Sequence, residues 1–577
     1  MIASLSLFCA LAFAHSLMLI GRTIPITFWT PVAFLWQDAA AALIFAAADW
    51  VLAKLKWQRL SWPLYAVVVG YVSINVGVAR ILSSPLTWTM IHAARGPLQD
   101  SIEHYFAVPY LVPVVLTCAS GVLFPLILDR YRLNSQRTVK PLLVLAAVVV
   151  ATGPYAASRI DTQGMERNAF GALWPARISR VRTNAFSAWR SSPFESTPSQ
   201  DFTALRGAAN GRNVVLILLE SAAAQYLKPY GALEDPMPNL TQLAAQSIVF
   251  DNAYAVYPES IRELFATLCS RYPVFGTSTE SYASAPCGSL GEILHAAGYR
   301  TALFHSGRFM YLGMQSVIEH RGFDTLEDAG AIGGNVNSSF GVDEPAAVSR
   351  ILSWIDSLPA GQRFFLTYIP VAGHHPYATP EPGPFPNDTD LNRYRDALYF
   401  GDKSLGTLFD GFRKRALDRN TLYVIFGDHG EAFGQHEGNF AHSLFLYDEN
   451  VRVPYIVAAP GLIRVSQHSN AAASVMDTAP TILDLLGMPI PSGYEGDSLL
   501  EPTQQMALFF TDYSLGFLGL RDGCWKYILE TGSSRSKLFN VCHDAAEMRD
   551  VSAKQLERVR AYRSRLEGWI SAAGGTQ

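Results

Sequence analysis

Charge is scarce in this 577-residue sequence: Asp, Glu, Lys and Arg together make up 16% of it, and the formal net charge is only -4. Without a basic surplus to hold a polyanion, nucleic acid is excluded as a partner. Cysteine is sparse too, at six residues, and no pair has the two-residue spacing of a zinc knuckle. Cys9 and Cys118 lie in apolar runs, whereas Cys269 with Cys287 and Cys524 with Cys542 form sequence-close pairs in the polar part. That pattern suits disulfides in an oxidising compartment better than zinc. The first apolar segment lacks a basic leader, so a retained helix is the better reading, although Ala12-Phe13-Ala14 resembles a cleavage site for a signal peptide.

Hydrophobic residues are plentiful, at 49%. Apolar stretches at 2–20, 32–52, 64–82, 106–128 and 142–157 each approach the ~20 residues that cross a hydrocarbon core. About five transmembrane helices are therefore expected over residues 1–158. Lys54, Lys56 and Arg59 in one connection, and Arg130, Arg132, Arg137 and Lys140 in the next but one, place those loops in the cytoplasm. An odd number of spans then puts everything after Ala157 on the far side, where the paired cysteines need to be. Asp38, at home in the second span, either lines a path for a lipid headgroup or is neutralised by a neighbouring helix. Asp49 reads as interfacial, and His15 in the first span has the same status as Asp38.

Residues 159–210 read as an interfacial amphipathic helix and a linker. Phe170, Leu173, Trp174, Ile178, Val181 and Trp189 recur at helical spacing among Arg167, Arg177, Arg180, Arg182 and Arg190, with Pro175 as a kink. A helix packed on the soluble domain is the alternative. The Ser/Pro/Thr-rich stretch 191–203 is the linker.

Residues 211–577 carry short unalternating apolar runs at 214–219, 301–304, 364–369 and 421–426, separated by helical segments. Such runs are strands buried on both faces, which predicts a mostly parallel sheet covered by helices. Functional groups gather at the carboxyl ends of such strands. Glu220 follows the first run, and Gly427-Asp428-His429-Gly430-Glu431 follows the last. Adjacent strands lie only ~5 Å apart, so this carboxylate and this Asp-His pair can converge on one cation. Mixed oxygen and imidazole ligands suit zinc or manganese. Taken singly, Glu220 is as easily a helix cap and His429 a structural histidine; their joint placement is the signal.

Three segments resemble the sulfatase-like branch of the alkaline-phosphatase superfamily: Asn213 through Ser221, Met237-Pro238-Asn239-Leu240 continuing to Phe250-Asp251-Asn252-Ala253-Tyr254, and the 427–431 motif. Within it the sequence is most similar to lipoteichoic acid synthases and lipid A phosphoethanolamine transferases, over roughly residues 213–551. The resemblance implies a bacterial inner-membrane enzyme with a periplasmic or extracellular α/β alkaline-phosphatase-like (sulfatase-like) domain and a small C-terminal antiparallel sheet near 506–513 and 518–529, closed by a helix near 553–570. Cys524 and Cys542 would staple that subdomain.

Carried over motif by motif, the resemblance implies Glu220, Asp428, His429 and Ser260 as metal ligands, with Ser260 as the nucleophile. It implies His374, or in its place His375, beside the substrate phosphate and as leaving-group acid, and His436 and His442 near the substrate or a second metal. Each of these histidines has an ordinary loop role as its alternative. True sulfatases need Pro two residues after the modified position and Arg two further on; Arg262 and Leu264 stand there instead. An unmodified serine is therefore expected to attack phosphorus. The Trp-Asn-Arg stretch with which the synthases bind glycerol phosphate is replaced by His305-Ser306-Gly307-Arg308, where Arg308 could grip a phosphate. Phosphoethanolamine is thus as good a transferred group as phosphoglycerol, moved from a phospholipid donor to an envelope lipid or glycan acceptor. A sulfatase or phosphodiesterase working with water at the same site is the alternative.

Overall fold

The computed structural model describes residues 2–24, 26–93, 108–131, 136–173, 189–194, 199–276, 282–283, 285–338, 341–502 and 505–573. Its first part is a bundle of five helices long and apolar enough to cross a membrane: Ile2–Leu19, Thr30–Lys54, Gln58–Leu82, Tyr110–Arg130 and Lys140–Arg159. Their outer faces keep large apolar residues exposed, among them Val67, Val115, Leu126 and Val144. Lipid can cover such faces where water cannot.

The two buried carboxylates of the bundle, Asp38 and Asp49, are both hydrogen-bonded, as a hydrocarbon environment requires. His15 Nδ1 meets Asp38 Oδ2 at 2.9 Å, so the neighbouring helix supplies the partner of Asp38. Ser61 Oγ donates to Asp49 at 2.6 Å.

Residues 174–188, the heart of the expected amphipathic helix, lie outside the described residues. Of its flanks, Phe170 packs on Tyr71 of the bundle, while Trp189 stacks on Trp569 of the soluble domain. The described part of the 191–203 stretch is also engaged: Ser192 Oγ donates to Asp522 at 2.8 Å, and Phe202 is buried.

The soluble half is built on a nine-stranded sheet. Asn213–Leu219 lies at its centre, parallel to Phe364–Ile369 on one side and to Thr421–Gly427 on the other. Arg300–His305 and Thr325–Glu327 extend it in parallel. Tyr455–Ala458 joins antiparallel beyond Thr421–Gly427 and leads to Ser247–Tyr254. The central strands are buried along their whole length, which is why their sequences show no alternation. Two apolar cores, one on each face, sandwich the sheet.

The Met237-to-Leu240 motif has a structural explanation. Buried Asp402 accepts the Asn239 and Leu240 N–H groups, at 2.8 and 2.9 Å, and so caps the helix Pro238–Ala244. The C-terminal sheet has four antiparallel strands, Ala507–Thr511, Phe517–Asp522, Trp525–Glu530 and Ser536–Asn540, followed by the helix Leu556–Ala573. Disulfides join Cys269 to Cys287 and Cys524 to Cys542, the two sequence-close pairs.

Candidate metal-dependent active site

The two parallel neighbours Asn213–Leu219 and Thr421–Gly427 end side by side, so Glu220 emerges next to Asp428 and His429. Ser260 is the first residue of the helix Ser260–Cys269. Its hydroxyl donates to Glu220 Oε2 at 3.1 Å, and its oxygen lies 3.3 Å from His429 Nε2. That Nε2 is 3.5 Å from Glu220 Oε1 and 3.7 Å from Asp428 Oδ2. His429 Nδ1 donates to the Gly430 carbonyl at 2.9 Å, which turns the Nε2 lone pair into the cluster.

This donor set fits a divalent cation. The ligand atoms of Glu220, Asp428 and His429 lie within 4.8 Å of one another, and all three side chains are buried. Asp428 Oδ1 accepts the N–H groups of Ser221 and His429, but buried Oδ2 has no hydrogen-bond partner. Burial and the adjacent Asp428 carboxylate push Glu220 up to about 8, the signature of acidic groups gathered without a counter-charge. A cation would remove that penalty.

Supports surround the cluster. Glu263, in the first turn of the serine helix, accepts the N–H groups of Val256 and Tyr257, both at 2.9 Å, and fixes the loop leading into Ser260. Burial raises its pKa well above the usual carboxylate range. Gly373 is required by close packing: a Cβ there would lie 2.1 Å from the Glu220 carbonyl oxygen. Gly430 is equally constrained, its Cβ position being 2.1 Å from the Glu449 carbonyl.

A second group adjoins the first. His429, Glu431 and His442 also bring ligand atoms within 4.8 Å. His442 Nδ1 meets Glu431 Oε2 at 2.8 Å, and Tyr377 donates to Glu431 Oε1 at 2.6 Å. Burial, and then the nearby His374, lower His442 to about 4; burial likewise lowers His305 to about 4 and depresses His374. His374 Nδ1 bonds the His375 carbonyl at 2.6 Å. Burial raises Glu431 to about 7. The imidazole group adjoins the Ser260 cluster through His442, whose ring centroid lies 4.1 Å from that of His429.

Not every residue singled out in the sequence comes together here. His436 Nδ1 bonds Glu449 Oε1 at 2.6 Å, its Nε2 lies 3.2 Å from the Glu547 carbonyl, and its ring stacks on Tyr447. One nitrogen is spent on Glu449 of its own loop and the other faces the C-terminal subdomain. The Arg308 guanidinium rests against Gly330, on the loop after Arg300–His305. Glu431, Tyr377 and His305 belong to the imidazole group but received no role from the sequence; for Glu431, its place in the 427–431 motif was the available signal.

A mixed sheet with a serine, two carboxylates and an imidazole at its carboxyl edge is an arrangement suited to metal-dependent hydrolase or transferase chemistry. Residues 212–488 match the sulfatase family model. That match supports a place for the domain in the sulfatase-like branch of the alkaline-phosphatase superfamily, with a resemblance to lipoteichoic acid synthases. A lipoteichoic acid synthase-like protein of Bacillus subtilis, YvgJ, is 24% identical over 306 residues, which cover 49% of this chain and 48% of that relative. An ulvan-active sulfatase of Formosa agariphila is 24% identical over 339 residues, covering 50% of this chain and 64% of its own. The lipoteichoic acid synthase LtaP of Listeria monocytogenes superposes with a TM-score of 0.50 at 18% identity, over 64% of this chain and 94% of that one. The match spans about half the length of the first of these curated relatives. With five spanning-length helices among the described residues, the chain is similar to membrane enzymes of the sulfatase superfamily.

Proposed function

We propose that the protein is a membrane phosphotransferase that moves a phospholipid headgroup, phosphoethanolamine or phosphoglycerol, onto an envelope lipid or glycan through a covalent intermediate on Ser260. The catalytic domain lies on the extracytoplasmic side in this reading, as the basic loops after the second and fourth spans require. The observation that carries it is the position of the unmodified Ser260 hydroxyl, within hydrogen-bond reach of both Glu220 and His429. Glu220, Asp428, His429 and Ser260 would hold the cation. Bound there, zinc or manganese supplies Lewis acidity and a lowered pKa for the serine hydroxyl.

Ser260 Oγ gives up its proton toward Glu220 and attacks the phosphodiester phosphorus. The bond from phosphorus to the diacylglycerol oxygen breaks, and that oxygen leaves with the proton that Ser260 gave up. The start of the helix Ser260–Cys269 turns its partial positive charge toward the phosphoryl oxygens. In this reading His374 meets the phosphate from the imidazole side; the acceptor hydroxyl then attacks phosphorus, its proton passing to the Ser260 oxygen as the bond from phosphorus to Ser260 breaks. Ping-pong kinetics follow.

The curated relatives include both a synthase-like protein and a sulfatase. Arg262 supports phosphoryl transfer: its Nη1 donates to Asp512 at 2.7 Å, so the chain after the serine is built around an ion pair where sulfatases need their modification motif. Peptide mass spectrometry after incubation with phosphatidylethanolamine or phosphatidylglycerol and each metal tests the proposal. A headgroup adduct on Ser260, absent in Ser260→Ala, is expected. Unmodified Ser260 in a metal-loaded protein that cleaves sulfate esters would overturn it.

A further inference from the structure

Both loops that flank the candidate active site come down on the helical bundle. On one side, the strand Phe440–Ala441 packs beside the helix Ser61–Leu82, and the next residue is His442, the partner of Glu431. In the same loop, Glu437 accepts the N–H of Thr23, from the connection between the first two spanning helices. On the other side, Asp512 holds the serine helix: Oδ1 accepts Arg262 Nη1 at 2.7 Å and the Tyr257 hydroxyl at 3.0 Å, and Oδ2 accepts Gly276 N–H at 2.7 Å. The two residues after Asp512 belong to the bundle contact. The Tyr513 carbonyl accepts Thr87 Oγ1 at 3.4 Å, and Ser514 Oγ bonds Ser84 Oγ.

One side chain closes this contact. Arg167 Nη1 donates to the Ser514 carbonyl at 3.0 Å; its Nη2 donates to Ser514 Oγ at 2.6 Å and to Ser84 Oγ at 3.1 Å. Arg167 is itself pinned from below. Asn168 Nδ2 donates to Asp38, its N–H donates to Gln37 at 2.8 Å, and Tyr71 donates to the Ala169 carbonyl at 2.9 Å. Asp38 in turn holds His15, so three spanning helices converge under the arginine. A carboxylate placed in a bundle costs several kcal/mol unless satisfied, and here both its oxygens are used on this junction. The rigid guanidinium fork suits one geometry and no other.

We propose that Arg167 is a positioning residue that clasps the catalytic domain onto the bundle in a single orientation, with the Ser260 site held at the bilayer face, so that the site takes a phospholipid headgroup still seated in the membrane. The choice of substrate rests on the function proposed above; the clasp does not. Its effect is on where the donor meets Ser260, since a misplacement of ~1 Å can cost on the order of 100-fold in rate.

Arg167→Met removes the donors and keeps the bulk, and Ser514→Ala removes only the side-chain part of the contact. In proteoliposomes, Arg167→Met is expected to lower turnover of the phospholipid donor by at least ~10-fold, while turnover of soluble bis-p-nitrophenyl phosphate stays at the wild-type level. Ser514→Ala should shift the same ratio in the same direction by less. Separately, a Thr23→Cys, Glu437→Cys pair should cross-link readily on the wild-type background and poorly with Arg167→Met. An unchanged lipid-to-diester ratio together with an unchanged cross-link yield overturns the clasp. If the wild-type protein turns over neither substrate, the function proposed for Ser260 fails, and the cross-link yield alone decides the clasp.

Discussion

Ser260 Oγ lies 3.3 Å from His429 Nε2, and the ring is held in that attitude by the bond from its Nδ1 to the Gly430 carbonyl. Replacing His429 by Gln keeps a polar group of similar reach but loses the imidazole lone pair. Turnover of a chromogenic phosphodiester is expected to fall by about 10²–10⁴-fold, while far-UV circular dichroism stays unchanged. Substantial activity in His429→Gln would remove the imidazole from the proposed ligand set.

Metal removal should act on stability as well as rate. Asp428 Oδ2 is buried without a hydrogen-bond donor, so a cation that binds the folded site and not the unfolded chain stabilises it by mass action. At roughly 100 times Kd the gain is about 2.7 kcal/mol. Chelation is expected to abolish turnover and lower Tm, and titration with zinc or manganese should restore both. A Tm indifferent to every divalent metal in wild type, and equal to that of Asp428→Asn, would speak against the site.

Much of this centre is legible in the sequence because parallel strands simplify it. The runs at 214–219 and 421–426 carry no charge, so the first charged residues after them, Glu220 and Asp428, mark the strand ends without an alignment. The disulfides are legible for another reason, each pair being separated by only 18 residues. What the sequence hides are pairings between distant residues. Tyr377 reaches Glu431 across 54 positions, and Arg262 reaches Asp512 across 250. His436 shows the opposite failure: it stands close in sequence to the metal motif, yet its nitrogens are engaged by Glu449 of its own loop and by the Glu547 carbonyl of the C-terminal subdomain.

That partnership gives His436 a measurable pH signature. Burial alone would lower its pKa, but the hydrogen bond and charge of Glu449 outweigh this, and the net shift is upward from 6.5. A histidine whose folded pKa is raised binds its proton more tightly in the folded state. The stabilisation is fully present below the unfolded pKa of about 6.5 and is lost as pH rises through the folded pKa. Between about pH 6 and pH 9, Tm of the wild type should therefore fall more steeply than Tm of His436→Gln. Parallel curves would show that Glu449 and His436 do not share a charge.

The Cys524–Cys542 bridge closes the turn between Trp525–Glu530 and Ser536–Asn540 at its open end. For a loop of this length the chain-entropy argument gives about 3 kcal/mol. A Cys524→Ser, Cys542→Ser variant is expected to lose stability on that scale in denaturant titration. Lys526 lies two residues from Cys524, buried between Asp448 and Glu547 at 2.7 and 2.9 Å, so the loosened strand also weakens the seat of the 430–450 loop. Equal midpoints for the oxidised wild type and the double variant would mean that this ion-pair network alone fixes the strand.

Gly373 gives the sharpest test of how the two halves of the site are held together. It precedes His374, and its α-carbon packs so closely on the first-strand exit that a methyl group would sit 2.1 Å from the Glu220 carbonyl oxygen. Neither neighbour yields easily. Glu220 follows a strand paired on both sides, and the loop carrying Gly373 is tied down where Val371 N–H donates to buried Glu344 at 2.8 Å. A Gly373→Ala substitution must therefore push the His374 loop away from the Ser260 cluster or displace Glu220 from it. Either movement separates the proposed phosphate contact from the proposed nucleophile, so kcat for diester turnover should drop by at least ~10-fold. Metal affinity distinguishes the two: retained affinity with lost turnover locates the damage at His374, whereas weakened affinity locates it at Glu220. Wild-type kcat in Gly373→Ala would mean that the close approach of these two segments has no part in catalysis.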